Sequence, residues 1–248
     1  MLKLIKYEFR KQAFSKGVIF AIVALLEILF GIGILLSKEN FIATSLGLLF
    51  IVGFGAMAFV AYESILTFSN DLKNKCSYML FLTPNTSYSI VGAKVVTAAL
   101  QVLVVGLGLL AFAILDATIV FAKYSSIEQI KINIMIFLEQ VFNLNISVMD
   151  IFIVCLTIIV SWISVITLAF FSITLSTTFL ANKKFKGLVS FAIFIALNLL
   201  FSYITKLTIG EVTTYNQNDF ILSTLYYLCF TVLTYFGTAY MLEKKVSV

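Results

Sequence analysis

The sequence predicts an all-helical integral membrane protein, on the evidence of its composition and the lengths of its apolar runs. Of the 248 residues, 61% are hydrophobic and only 12% are charged, whereas about a quarter of the residues in a soluble domain are charged. The charges lie between apolar runs, each long enough to cross a bilayer as about 20 helical residues. The runs lack the alternation of membrane β-strands. The six predicted spans are Gly17–Leu36, Phe41–Leu66, Val95–Leu115, Ile151–Ala181, Gly187–Thr205 and Phe220–Leu242.

These six runs are predicted to form a single transmembrane domain over residues 1–248. The fourth run is longer than a bilayer requires, so that span is expected to tilt, break or project from the membrane. Orientation follows from the basic residues. If the N-terminus is cytoplasmic, most of the 17 Lys and Arg residues lie inside, as the positive-inside rule requires. The exceptions are Lys38, Lys123, Lys131 and Lys206. Both termini are therefore predicted to be cytoplasmic.

Residues 1–16 are predicted to form an amphipathic helix on the inner leaflet. Leu2, Ile5, Phe9 and Ala13 recur at helical spacing, and the basic residues beside them would lie near anionic headgroups. The alternative is a basic tail that only holds the first span in place. The first apolar run continues for a full span, so it is predicted to be an uncleaved helix and not a signal peptide.

Residues 67–94, between the second and third spans, are the most informative part of the chain. They place charges, a short aromatic and aliphatic stretch and the chain's single proline on the predicted cytoplasmic side. A plain connection would need only a few solvated residues. The segment therefore predicts a short helix that another protein binds. The alternative is a helix lying on the membrane surface.

A second amphipathic segment is predicted on the outer side, at residues 117–150. Within it, residues 126–146 carry apolar side chains at helical spacing. The segment is either a cap or gate over the mouths of the spans, or a passive helix in contact with lipid.

Two acidic residues within the predicted spans are candidates for a translocation path. Glu27 lies near the middle of the first span, where an ionised side chain costs about 3 kcal/mol unless it is paired or hydrated. Glu63 lies near the inner end of the second span. The alternatives are a protonated Glu27 hydrogen-bonded between helices and a Glu63 side chain that reaches the interface.

Several classes of function are excluded by missing motifs. The chain contains no Gly-x-x-x-x-Gly-Lys-Ser/Thr loop, so it is not predicted to hydrolyse ATP in that manner. It contains no histidine, which excludes His-Glu-x-x-His zinc sites and histidine-activated nucleophiles. Gly-x-Gly patterns at Gly53 and Gly106 lie inside apolar spans and are predicted to be helix-packing sites. No enzyme activity, metal or cofactor is predicted on this chain, and its charge of +5 follows membrane topology and does not indicate nucleic-acid binding.

The segments around the second and third spans resemble a known family. Asp71-Leu-Lys73, Tyr78-Met-Leu-Phe-Leu-Thr-Pro84 and Gly92-Ala-Lys94 look like the cytoplasmic gate and coupling region of bacterial type-2 ATP-binding-cassette (ABC) permeases. The opening Met1–Arg10 looks like the elbow helix that begins many of these proteins. Six spans with both termini inside agree with the resemblance.

The resemblance implies the membrane subunit of an exporter in the bacterial plasma membrane. It would pair with a second copy or a paralogue and rest on two ATPase subunits from a separate chain, which would bind ATP and magnesium. Its substrate would be amphipathic, such as a peptide, an antimicrobial or a lipid-like molecule. A secondary transporter without an ATPase remains an alternative, as does a membrane scaffold or sensor that anchors a cytoplasmic partner.

In this family the helix between the second and third spans is a coupling helix that docks on the ATPase. Tyr78, Met79, Phe81 and Leu82 would supply its apolar anchors, since central aromatic residues contribute most of the binding energy of an interface. The charged residues would orient the contact, and the proline would end the helix. The residues implied in docking are Asp71, Lys73, Lys75, Tyr78, Met79, Phe81, Leu82 and Pro84.

Overall fold

The described residues are helical apart from short connections and helix ends. The computed structural model describes residues 2–73, 86–124, 148–179, 186–210 and 217–244. Within these ranges it contains seven α-helices and no strand, which confirms the predicted all-helical class. The helices are α1 (Leu2–Lys11), α2 (Ala13–Leu35), α3 (Glu39–Lys73), α4 (Ser87–Tyr124), α5 (Val148–Phe179), α6 (Lys186–Ile209) and α7 (Gln217–Lys244).

Helices α2 to α7 are each long and apolar enough to cross a membrane, which agrees with the six predicted spans. The largest difference from prediction is in α3 and α4, which have 35 and 38 residues and exceed the 32 of α5. At about 1.5 Å per residue, α4 is about 57 Å long, whereas the hydrocarbon layer is about 30 Å thick. Hydropathy missed the extra length because polar residues at the helix ends, such as Ser87–Lys94, continue the helix without adding apolar surface.

The N-terminal helix is shorter than predicted. It ends at Lys11, and a turn at Gln12 separates it from α2. Its buried residue is Glu8, whereas Leu2, part of the predicted apolar stripe, is 83% exposed. Ile5 and Phe9 of the same stripe are half-buried, so the face of α1 that packs on the protein combines these apolar residues with Glu8, whose partner is described below.

The chain packs as two compact units, each built from segments that are distant in sequence. The first unit contains Met1–Glu8, Ala61–Leu100 and Ser147–Val248, and therefore most of α1, the ends of α3 and α4 that flank residues 74–85, and α5 to α7. The second unit contains Phe9–Val60 and Gln101–Ile146, and therefore α2 and the remaining parts of α3 and α4.

Helix α5 is the central helix of the first unit and the most buried of the six candidate spans. It packs against both α6 and α7. Two pairs of threonine hydroxyls join α5 to α7: Thr157 and Thr224 are 2.7 Å apart, and Thr234 donates to Thr167 at 3.1 Å. Threonines in this unit also donate to carbonyls one turn back, as Thr157 does to Ile153. Their polar atoms are thereby satisfied inside an apolar environment.

In the second unit, α2 lies close to α4 at a glycine. A Cβ atom on Gly108 would lie 2.6 Å from Cζ of Phe20, so the phenyl ring occupies space that any larger residue would need. Gly108 is therefore a helix-packing site, as predicted for the pattern that begins at Gly106. Gly55 differs, because a Cβ there would meet nothing within 4 Å.

We expect Thr167→Val or Thr234→Val to lower the free energy of unfolding by about 0.6 kcal/mol, the average for hydrogen bonds between helices in membranes. The double variant should cost less than the sum of the two, because both substitutions remove one shared bond. Denaturant unfolding in mixed micelles measures this. Thr231→Val is the matched control, since that hydroxyl donates to the Tyr227 carbonyl of its own helix. Strictly additive effects would contradict the contact.

Candidate functional site

The main polar site of the first unit is a lysine buried between two carboxylates. Lys94 lies in the second turn of α4 and is 7% exposed. Its ammonium nitrogen donates to Glu8 Oε1 of α1 at 2.8 Å and to Asp71 Oδ2 in the last turn of α3. The Glu8 side chain is 6% exposed and that of Asp71 is 21% exposed. We call these three residues the ion cluster.

Because the ion cluster is buried, its charged groups must be placed close together and in good hydrogen-bond geometry. Removing an ammonium group from water costs several kcal/mol, and only well-placed opposite charges and hydrogen bonds offset that cost. Bonds between charged groups are shorter and about twice as strong as neutral ones. Because the two carboxylates that accept from Lys94 belong to other helices, its burial ties the ends of α1, α3 and α4 together. The ion cluster is a structural joint between three helix ends.

The joint lies at the base of the predicted docking segment. Asp71 comes two residues before the end of α3, and Lys94 follows shortly after the start of α4, so the pair links the two helix ends that flank residues 74–85. Of the predicted docking residues, Asp71 belongs to the ion cluster and Lys73 is the last residue of α3. Those outside the described residues are Lys75, Tyr78, Met79, Phe81, Leu82 and Pro84.

Two further contacts hold the same helix ends. Phe68 of α3 stacks on Phe170 of α5 with ring centroids 4.2 Å apart, and both rings are almost completely buried. Tyr235 of α7 donates its hydroxyl to the backbone carbonyl of Tyr88, in the first turn of α4, at 3.0 Å. We call residues 68–71 of α3 and 88–94 of α4 the anchored ends. Contacts with α1, α5 and α7 hold them.

The predicted path residue Glu63 lies deeper in α3 than expected. The sequence placed it near the end of the second span, but α3 continues to Lys73. The helix continues because its polar end is stabilised by Phe68 packing and by the Asp71 ion pair. Glu63 is half-buried, and its backbone carbonyl accepts a bond from Thr67 Oγ1 at 2.8 Å.

The other predicted path residue, Glu27, is half-buried in α2 and is in hydrogen-bond contact with Asp116 of α4. A hydrogen bond between two carboxyl groups requires a proton on one of them. The sequence placed Asp116 in the outer loop, because the predicted third span ended at Leu115. The structure places it within α4, inside the candidate span Ser87–Val120. Glu27 and Glu63 belong to different units, and their role in a path remains a prediction.

Sequence reasoning missed Glu8 and Lys94 as functional residues, although both carried a signal. Glu8 is the single acidic residue in the basic segment 1–16, and an acid there needs a specific partner. Lys94 was predicted only as part of the Gly92-Ala-Lys94 motif and as a marker of membrane orientation, without a buried partner. Among the described residues, no group of three His, Cys, Asp or Glu side chains could hold a metal ion.

No protein-family model, no curated protein and no solved structure matches this chain. Its composition and six apolar helices define a multi-pass membrane protein. The features that bear on its function are the ion cluster, the anchored ends and residues 74–85 between α3 and α4.

We expect Lys94→Met to lower the free energy of unfolding by about 3 kcal/mol or more, because the buried carboxylate of Glu8 would lose the ammonium group with which it pairs. Glu8→Gln should cost less, since the amide oxygen can still accept a bond from Lys94. Thermal unfolding in detergent, followed by circular dichroism, measures both. Lys38→Met is the control at an exposed lysine. Equal stability of the Lys94 and Lys38 variants would show that the ion cluster does not stabilise the fold.

Proposed function

We propose that the chain is the membrane-spanning permease subunit of a bacterial ABC exporter. In this proposal, ATPase subunits on a separate chain bind ATP and magnesium, and the permease converts their movement into export of an amphipathic substrate. The observation that supports it most is the ion cluster. It joins the two helix ends on either side of the segment predicted to dock on the ATPase.

A docking segment transmits force only if its two flanks move together. A push on residues 74–85 would reach α3 and α4 jointly, because Lys94 and Asp71 bridge their ends. The Phe68–Phe170 stack would carry the displacement to α5, and the Tyr235–Tyr88 bond would carry it to α7. Packed elements of this kind shift between discrete arrangements and do not deform continuously. A passive loop would need no buried ion cluster at its base.

Glu8 adds the N-terminal helix to the same joint. An amphipathic helix on the inner leaflet, bound to the base of the third span, would hold the anchored ends at the level of the membrane surface. This supports the assignment of α1 as an elbow helix, with both termini in the cytoplasm. By the same resemblance, the permease works as a pair with a second copy or a paralogue.

One observation favours a second candidate function, an ion-coupled secondary transporter. The contact between Glu27 and Asp116 places two carboxyl groups inside membrane-spanning helices, where ionisable residues commonly mark proton or ion pathways. Substrate uptake into vesicles that contain this chain alone would distinguish the two. Transport driven by a proton gradient and abolished by Glu27→Gln would support the secondary transporter.

We expect Tyr78→Ala with Phe81→Ala to abolish both association with the ATPase subunit and substrate-stimulated ATP hydrolysis, because interface aromatics contribute most of the binding energy. Co-purification and hydrolysis in proteoliposomes measure the two effects. The matched control is Phe50→Ala with Tyr203→Ala, which removes two aromatic rings that are 80% and 67% exposed elsewhere. Unchanged association in the Tyr78 and Phe81 double variant would refute the docking role.

Tyr235→Phe tests transmission without altering the docking segment. The variant removes the hydroxyl that α7 donates to the first turn of α4, so we expect normal association with the ATPase but less substrate exported per ATP hydrolysed. A severalfold decrease is expected if this bond carries displacement to α7. Transport and hydrolysis measured on the same proteoliposomes give the ratio, and Tyr226→Phe on the same helix is the control. An unchanged ratio would exclude α7 from the transmission route.

A further inference from the structure

The first unit contains a cavity of about 290 Å³ between α3, α5 and α6. Hydroxyl side chains lie on its walls where these helices end or begin: Ser69 near the end of α3, Thr177 near the end of α5 and Ser190 near the start of α6. Further into the helices the walls are mainly apolar and include Leu66 and Phe194, with the aromatic ring of Tyr62 furthest from the end of α3. The polarity of the cavity therefore changes along the helix axes, from hydroxyl groups to hydrocarbon.

This gradient matches an amphiphile oriented as a membrane lipid is. A polar headgroup would lie among the hydroxyls at the helix ends, and a hydrocarbon chain would lie along the apolar walls. None of the described residues that line the cavity is charged. These described residues offer no counter-ion to a charged headgroup, which would lose hydration beside them at a cost. An uncharged headgroup with hydrogen-bonding groups fits best.

The cavity walls are preorganised. Phe68 and Phe170, the chain neighbours of the cavity residues Ser69 and Ala169, stack on each other and so hold α3 against α5. Thr177 Oγ1 donates to the Thr174 carbonyl at 2.9 Å, which leaves its oxygen lone pairs to accept a bond. A ligand with hydroxyl or amide donors in its headgroup would supply such bonds.

The volume restricts the size of the ligand. About 290 Å³ is at the lower end of small-molecule pockets and holds about ten groups the size of a water molecule. It accommodates a small headgroup and the first part of one hydrocarbon chain, but not a two-chain phospholipid. The remainder of the chain would extend through the open side of the cavity.

We propose that this cavity binds a single-chain amphiphile with an uncharged, hydrogen-bonding headgroup. The inference rests on the proposed export function and narrows its substrate class. The site shares α3 with the anchored ends, and its second helix, α5, contacts them through the Phe68–Phe170 stack. Ser69 of the cavity adjoins Phe68 and lies two positions from Asp71 of the ion cluster. A displacement of the anchored ends would therefore alter the wall of the site.

The test measures binding of radiolabelled 1-lauroylglycerol to the full chain in phosphatidylcholine nanodiscs, with empty nanodiscs subtracted and no ATPase present. Gly187 lines the cavity, and a Cβ there would meet nothing within 4 Å, so Gly187→Leu adds a bulky side chain to the cavity wall where a Cβ atom has room. Gly47→Leu is the matched control, because Gly47 has equally open space and does not line the cavity. We expect saturable binding that Gly187→Leu weakens about tenfold or more and Gly47→Leu leaves unchanged.

Ser69→Ala with Ser190→Ala provides a second variant that keeps the cavity open. We expect it to weaken binding by about threefold to tenfold, through lost hydrogen bonds to the headgroup. Unlabelled 1-lauroylglycerol should compete, whereas the anionic lysophosphatidylglycerol with the same chain length should not. Equal binding to the Gly187 and Gly47 variants, non-saturable binding typical of surrounding lipid, or equal competition by the anionic lipid would each overturn the inference.

The outcome is separable from that of the proposed function. Binding that depends on the cavity, without ATP-driven export by the complete complex, would leave the site in place and refute the exporter. ATP-driven export together with equal binding to all variants would retain the exporter and refute only this site.

Discussion

A lysine ammonium buried away from water requires negative charge beside it, and this requirement organises the first unit. Lys94 is 7% exposed and obtains that charge from Glu8 and Asp71, which belong to α1 and α3. Hydrophobic packing alone would allow the ends of these helices to slide, because apolar contacts are non-directional. Charge-assisted hydrogen bonds are directional, so they specify one arrangement of the three helix ends. The position of the segment between α3 and α4 depends on that arrangement.

The same region links the polar joint to the cavity. Phe68 and Phe170 are stacked between α3 and α5, with Asp71 three residues further along α3 and the cavity residue Ser69 next to Phe68. A protein interior is packed too densely to absorb a shift of one ring locally, so such a shift moves its neighbours. Force received at the base of α3 would thus reach the wall of the proposed substrate site. In the proposed transport cycle, this short path would be enough to connect the docking segment with the substrate site.

The second unit has a different chemical character. It contains the contact between the carboxyl groups of Glu27 and Asp116, with no basic residue described in that contact. In the first unit two carboxylates pair with one ammonium group, whereas here two acidic groups share a hydrogen bond. The first arrangement favours a fixed joint. The second depends on a proton, and it is the feature of this chain that an ion-coupled mechanism would use.

The sequence by itself determined the helical class, the six apolar spans and the amphipathic character of the N-terminus. These features follow from the free energy of transferring each side chain from water to lipid. This free energy is a property of the single residue, so it can be summed along the chain. The tertiary structure alone decided that Glu8 meets Lys94 and that Glu27 meets Asp116. It also decided that α3 and α4 continue past their apolar runs, and that hydroxyls from three helices line one cavity. These features depend on which helix faces packed together, and hydropathy contains no information about the rotation of one helix against another.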